Sequence, residues 1–220
     1  MTGAGAGPRV VRFSWRDLPE QLEAFGERWP DARADERGWV FSPPAAGPRL
    51  RVPLAALRVR PGEAIGAYAA RFHDPRERQL VVLLQAGAAA IGYWDGEDLL
   101  DHKVLRRYVV RGRGRAQPTH LRTRGKSRYG SRLRLQNWRR LLACTNERLR
   151  RCWDEFGAPE RVFHAAPVRA WAELFLSEPP PPFARHAAEL QRVPMHVHTP
   201  DFAELRRVRG WLLHGRLELP

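Results

Sequence analysis

The run from Gln79 to Val110 constrains the fold of this chain most. It opens with "QLVVLLQAG", apolar at nearly every position, passes a small-residue turn into "AAIGYWDGED", and continues as "LLDHKVLRRYVV". Short apolar runs bounded by turn residues are strand signals, and Asp95-Gly96 is a two-residue hairpin signal. Three strands in a meander follow. Since the first has almost no polar position, it belongs in the middle of a sheet covered on both faces.

Downstream the period changes from two to between three and four. Leu135, Trp138, Leu142, Thr145, Leu149, Cys152, Trp153 and Phe156 mark one face of a long amphipathic helix, with Ser131 placed to cap its start and Gly157 its end. "ERVFHAAP" then reads as a strand, "VRAWAELFL" as a helix and "EPPPPF" as an extended linker. "LQRVPMHVHTP" reads as a last strand, and "DFAELRRVRGWLLHG" as a closing helix with Asp201 or Thr199 near its cap. The order βββαβαβα defines an α/β (α+β) chain with a mixed sheet and helices on its faces, the order of ribonuclease-H-like folds. Ahead of it, "RVVRFSW", "LPEQLEAFGERW", "GWVFSPP" and "RLRVPLAAL" predict a strand, a helix and two strands. The expected organisation is a tail over 1–8, a small α+β unit over 9–60 and a larger domain over 61–220 with a basic loop at 111–131.

Charge narrows the function. The chain has 38 basic and 24 acidic residues, net +14. From His102 to Asn146 there is no Asp or Glu, while 14 Lys and Arg fall between them, so this one segment matches the whole net charge. A concentrated footprint of this kind implies a polyanionic partner. Within the loop, Gly112, Gly114, Gly125 and Gly130 permit backbone paths closed to other residues. Arg132 and Arg134 are expected in the first turn of the following helix, where the helix dipole disfavours cations unless an anion faces them.

Several chemistries are excluded or weakened. A two-metal nuclease on a ribonuclease-H-like frame needs converging carboxylates, but the leading strand carries Gln85, and Asp95, Glu97, Asp98 and Asp101 crowd a hairpin. His196 and His198 are expected on one face of a strand, without a third zinc ligand. Cys144 and Cys152, with no CxxC pair, read as reduced core thiols. There is no GxSxG elbow, and "RTRGKS" lacks the first glycine of a phosphate-binding loop. The start "MTGAGAGPRVV" has no apolar core of a signal peptide, and Leu80–Trp94 is too short and too interrupted to span a bilayer. The expectation is a cytoplasmic protein with no membrane contact, no metal and no cofactor.

The stretch "DHKVLRRYVVRGRGRAQ", followed after a spacer by "YGSRLRLQNW", resembles the Vms-like release factor family, which includes the eukaryotic ankyrin-repeat and zinc-finger peptidyl-tRNA hydrolases. His102, Lys103, Arg107, Tyr108, Val110, Arg111, Gly114 and Gln117 fall on the first part of the family pattern, and Gly130, Leu133, Arg134 and Asn137 on the second. "VPMHVHTPDFAELRRV" is similar to the closing strand and helix of that domain, so the resemblance covers about 78–215. It implies relation to the middle domain of eukaryotic and archaeal class-I release factors. It also implies a ribosome-associated monomer that frees nascent chains from P-site peptidyl-tRNA on stalled large ribosomal subunits. Gln117 would help place the attacking water, since an uncharged amide can donate and accept hydrogen bonds. Arg107, Arg111, Arg113, Gly114, Arg115, Arg122, Arg124, Lys126, Arg128, Arg132 and Arg134 would contact RNA. Two other readings use the same surface: a ribosome or tRNA binder that cleaves nothing, and an enzyme that cuts the tRNA acceptor end.

Overall fold

The computed structural model describes residues 9–72, 77–109 and 126–220, with the backbone alone at 126–129. The chain divides into two units, Met1–Pro75 with Val208–Pro220, and Arg76–Arg207. This moves the boundary from the expected residue 60 to residue 75 and assigns the last residues to the N-terminal unit.

The N-terminal unit contains strands β1 (Arg9–Ser14), β2 (Arg33–Ala34), β3 (Val40–Ser42) and β4 (Arg49–Arg51), and helices α1 (Leu18–Arg28) and α2 (Ile65–Arg71). Its sheet has the order β1-β10-β4-β3-β2, where β10 is His214–Leu219. A capping box joins Ser14 and Asp17 ahead of α1, which then buries Leu18, Leu22 and Phe25 at helical spacing against Phe41, Leu50, Ile65 and Tyr68. Neither α2, β2 nor β10 was expected. Strand β10 is the instructive one: "HGRLEL" has a weak apolar pattern, and its identity comes from partners far away in sequence, with Arg9 opposite Leu219 and Arg51 opposite Arg216.

The second unit is built on β5 (Arg78–Gln85), β6 (Ala88–Asp95), β7 (Asp98–Arg106), β8 (Arg161–Ala165) and β9 (Leu190–Arg192), with helices α3 (Lys126–Phe156), α4 (Val168–Phe175) and the part of α5 (Phe202–Leu212) up to Arg207. The sheet order is β7-β6-β5-β8-β9. β5, β6 and β7 pair antiparallel, whereas β5/β8 and β8/β9 are parallel, so the predicted ribonuclease-H-like mixed sheet is present. As its composition requires, β5 is central. Leu80, Val82 and Leu84 face Leu141, Leu142 and Leu149 of α3 and Trp171 and Leu174 of α4, while Val81 and Leu83 are fully buried on the opposite face. Side chains buried so completely contribute about 1.5–3 kcal/mol each. Gly92 and its neighbour Tyr93 divide the two faces of β6: Tyr93 joins the α3 core, and a Cβ on Gly92 would meet Leu205 of α5 at 2.9 Å.

Three expectations change in detail. The turn between β6 and β7 is Gly96-Glu97, because Asp95 already pairs with Asp98. The strand expected over "LQRVPMHVHTP" stops at Arg192, so His196 and His198 lie beyond it. Helix α3 begins at Lys126, so Ser131 is inside it and not its cap. At the other end α3 stops as expected: Gly157 has φ 84° and its N–H donates to Trp153 O at 2.9 Å.

Candidate nucleic-acid interface

Strand directions decide what shares an edge. Gln85 is opposite Ala88, and Ala88 opposite Arg106, so the ends of β5 and β7 lie on one line across the sheet. β8 runs parallel to β5, with Ala165 opposite Leu83, and therefore ends at this edge too. The basic segment thus leaves the sheet at its carboxyl edge, where α/β sheets open crevices. A crevice of about 270 Å³ lies there, lined by Gln85, Ala165, Arg192 and His196 among others. The hairpin acids Asp95, Glu97 and Asp98 are at the opposite end of the strands.

The chain on leaving β7 is held by two hydrogen bonds. Arg107 N–H donates to Gly87 O at 2.8 Å, and Asn137 of α3 donates through Nδ2 to Tyr108 O at 2.9 Å. Gly87 has φ 94°, and a Cβ there would lie 3.0 Å from Arg107 O, so glycine is needed both for the turn and for this approach. The Asn137 bond spans 29 residues and ties the strand before the basic segment to the helix after it. Its signal was legible only as two separate matched positions, Tyr108 and Asn137.

Of the anticipated site residues, Gln117, Arg111, Arg113, Gly114, Arg115, Arg122 and Arg124 lie outside the described residues. Lys126 and Arg128 occupy the first turn of α3. The helix-dipole argument made for Arg132 and Arg134 therefore passes to these two, since Arg132 and Arg134 lie more than a turn further on. Arg107 and Arg132 are exposed, and Arg134 is half-buried with Nη2 donating to Ser131 Oγ at 3.1 Å. Among the described residues, Lys103, Arg107, Arg132, Arg134, Arg139 and Arg140 have no carboxylate partner, while Arg106 has a loose one, Asp201 at 3.8 Å. Strand β7 with the residue that follows it, and helix α3, therefore carry six cations that no carboxylate offsets among the described residues.

Other candidate groups are engaged in holding the fold. Gln85 Nε2 donates to Val197 O at 2.8 Å and His198 O at 2.9 Å. Asp101 pairs with Arg148 and accepts from Cys152 Sγ at 3.5 Å. Burial first, then the Asp101 charge, push the Cys152 thiol up to about 12, which makes it inert as a nucleophile. The rings of His196 and His198 are perpendicular, 5.0 Å apart, and His198 is tied to Glu204 by its backbone N–H at 2.6 Å and by Nδ1. Hydrogen bonds from Arg207 are the main reason that the Glu204 carboxyl falls to about 2. His164, stacked 4.1 Å from Trp171, is held neutral by burial, its pKa lowered to about 4. Among the described residues no group of three or more His, Cys, Asp or Glu could hold a metal ion. Nor is any described helix long and apolar enough to cross a membrane.

The sequence pattern of the Bacteroidetes VLRF1 release factor family matches residues 79–218, well over half of the chain, and the chain belongs to that family. With membership comes a ribosome-associated, release-factor-like role. A solved structure described as "Vms1 mitochondrial localization core" is similar in fold, with TM-score 0.52 at 12% identity, covering 91% of this chain and 80% of that one. Among curated proteins, no sequence matches.

Proposed function

We propose that the protein is a peptidyl-tRNA hydrolase that frees nascent chains on stalled large ribosomal subunits. The observation that carries this reading is the frame around residues 110–125: strand β7 and helix α3, joined by the Asn137 to Tyr108 bond, bracket a sequence that contains Gln117 among arginines with no Asp or Glu between them. Arginines of this segment would grip rRNA and tRNA phosphates as forked donors, holding the domain against the large subunit. Gln117 would orient a water toward the ester carbonyl carbon. The new carbon–oxygen bond forms as the bond to the ribose oxygen breaks, and that oxygen takes the proton. No cofactor or metal is required by this scheme, and a monomer suffices.

The test is Gln117→Ala on large subunits that hold peptidyl-tRNA. Peptide release should fall about a hundred-fold, the size of effect that loss of one preorganised hydrogen-bonding group has elsewhere, with subunit binding unchanged. Unchanged release would remove Gln117 from the mechanism. One feature of the sequence favours a second reading: Arg115 and Ala116 precede Gln117 and Pro118 follows it, biasing Gln117 toward extended backbone. On that reading the protein binds the cytoplasmic ribosome and cleaves nothing, so wild-type protein would occupy subunits without releasing peptide. Shortened tRNA in the product would instead mark acceptor-end cleavage.

A further inference from the structure

Tyr108 is 57% exposed, the only aromatic among the exposed large hydrophobic side chains of the described residues. Its ring meets no other ring and its hydroxyl makes no hydrogen bond among those residues. A single exposed tyrosine is ordinary. This one differs in its mounting. The preceding N–H, from Arg107, is bonded to Gly87, and its own carbonyl is bonded to Asn137, so the backbone beneath the ring is fixed on both sides. A ring with two side-chain torsions on a fixed backbone loses little conformational freedom on meeting a partner.

The surroundings identify the partner. Tyr108 follows Arg106 and Arg107 and stands two residues before the basic segment, in a stretch without Asp or Glu from His102 to Asn146. An apolar protein surface would gain nothing from those charges, whereas RNA supplies phosphates for the arginines and a flat base for the ring. We propose that Tyr108 is a stacking site for one unpaired nucleobase of the bound RNA. This rests on the RNA-binding reading above and adds a discrimination that arginines cannot make. Phosphate contacts serve single strands and duplexes alike, while a base within a duplex has both faces covered by its neighbours.

The test uses the full chain and a short single-stranded RNA containing a fluorescent adenine analogue, with the same RNA as a duplex for comparison. Wild-type protein should quench the analogue and prefer the single strand. Tyr108→Ala should lose that quenching and about five-fold to a hundred-fold in affinity for the single strand, the range for removal of one base stack. Because no charge is removed, the slope of affinity against salt should stay the same. Tyr108→Phe should restore both signals, and because the ring is exposed, neither variant should change thermal stability. Tyr108→Ala with wild-type affinity and quenching overturns the stacking site while leaving the RNA reading intact. Wild-type protein that binds neither RNA nor large subunits overturns both.

Discussion

The two halves of α3 use the same residue for opposite ends. In the C-terminal half, Arg148 pairs with Asp101, Arg150 Nε donates to Pro180 O at 2.7 Å and Arg151 lies 3.6 Å from Glu155. In the N-terminal half, Arg132, Arg139 and Arg140 are exposed with no carboxylate partner among the described residues. An arginine engaged by its own chain serves the fold, as Arg148 does in tying α3 to β7, whereas one without such a partner leaves its charge for another molecule. The change falls where Asn146 ends the acid-free stretch. Asn146 is itself fully buried, donating to Leu174 O and Pro179 O at 2.8 Å each.

If that division is right, substitutions in the two halves separate stability from binding. The largest effect on stability is expected from Arg148→Ala, which strands Asp101 beneath α3 beside Cys152. Denaturant unfolding should show a loss of about 3 kcal/mol, with the affinity of the remaining folded protein for large subunits unchanged. Asn137→Ala, at the junction, removes one interelement hydrogen bond, a loss of about 1 kcal/mol. It should lower peptide release more than that figure suggests, because the strand and helix that frame residues 110–125 are no longer tied; release and unfolding measured on one preparation would check this. Smallest in stability is Arg139→Ala with Arg140→Ala, within about 0.5 kcal/mol of wild type. Its effect should be seen instead in the salt dependence of RNA affinity, with the slope reduced by about one for each arginine that meets a phosphate. A pair of variants that unfold the protein without changing the slope would break the comparison.

The same contrast explains what could be read from residues alone. The β5–β7 meander, the long helix and its stop at Gly157 were legible because the signals are local: apolar runs, turn residues, period. The start of α3 was not, since "KSRYGSR" contains no apolar period and its helical state depends on continuation into the packed residues beyond. β10 was hidden for a related reason, its partners being almost the whole chain away. Of the interface, the concentration of charge was visible in composition, and the matched positions were visible in spacing. What could not be read was how those positions meet. Nothing local in "RRYVV" and "LQNW" says that Asn137 reaches Tyr108, and nothing in "MHVH" says that His198 folds back onto Glu204.

β10 lies between β1 and β4, and β1 has β10 as its neighbour in the sheet. Among the described strands, β1 comes first in the sequence and β10 last. β1 therefore has no neighbour in its sheet until β10 has been made, although the second unit's strands β5 to β9 come before β10 in the sequence. A copy of this protein halted before β10 would carry the finished sheet of the second unit and an N-terminal sheet without the strand that joins β1 to β4. Such a copy presents an open strand edge, the feature by which incomplete chains aggregate. A factor proposed to clear interrupted synthesis is thus itself built so that an interruption late in its own synthesis leaves it exposed.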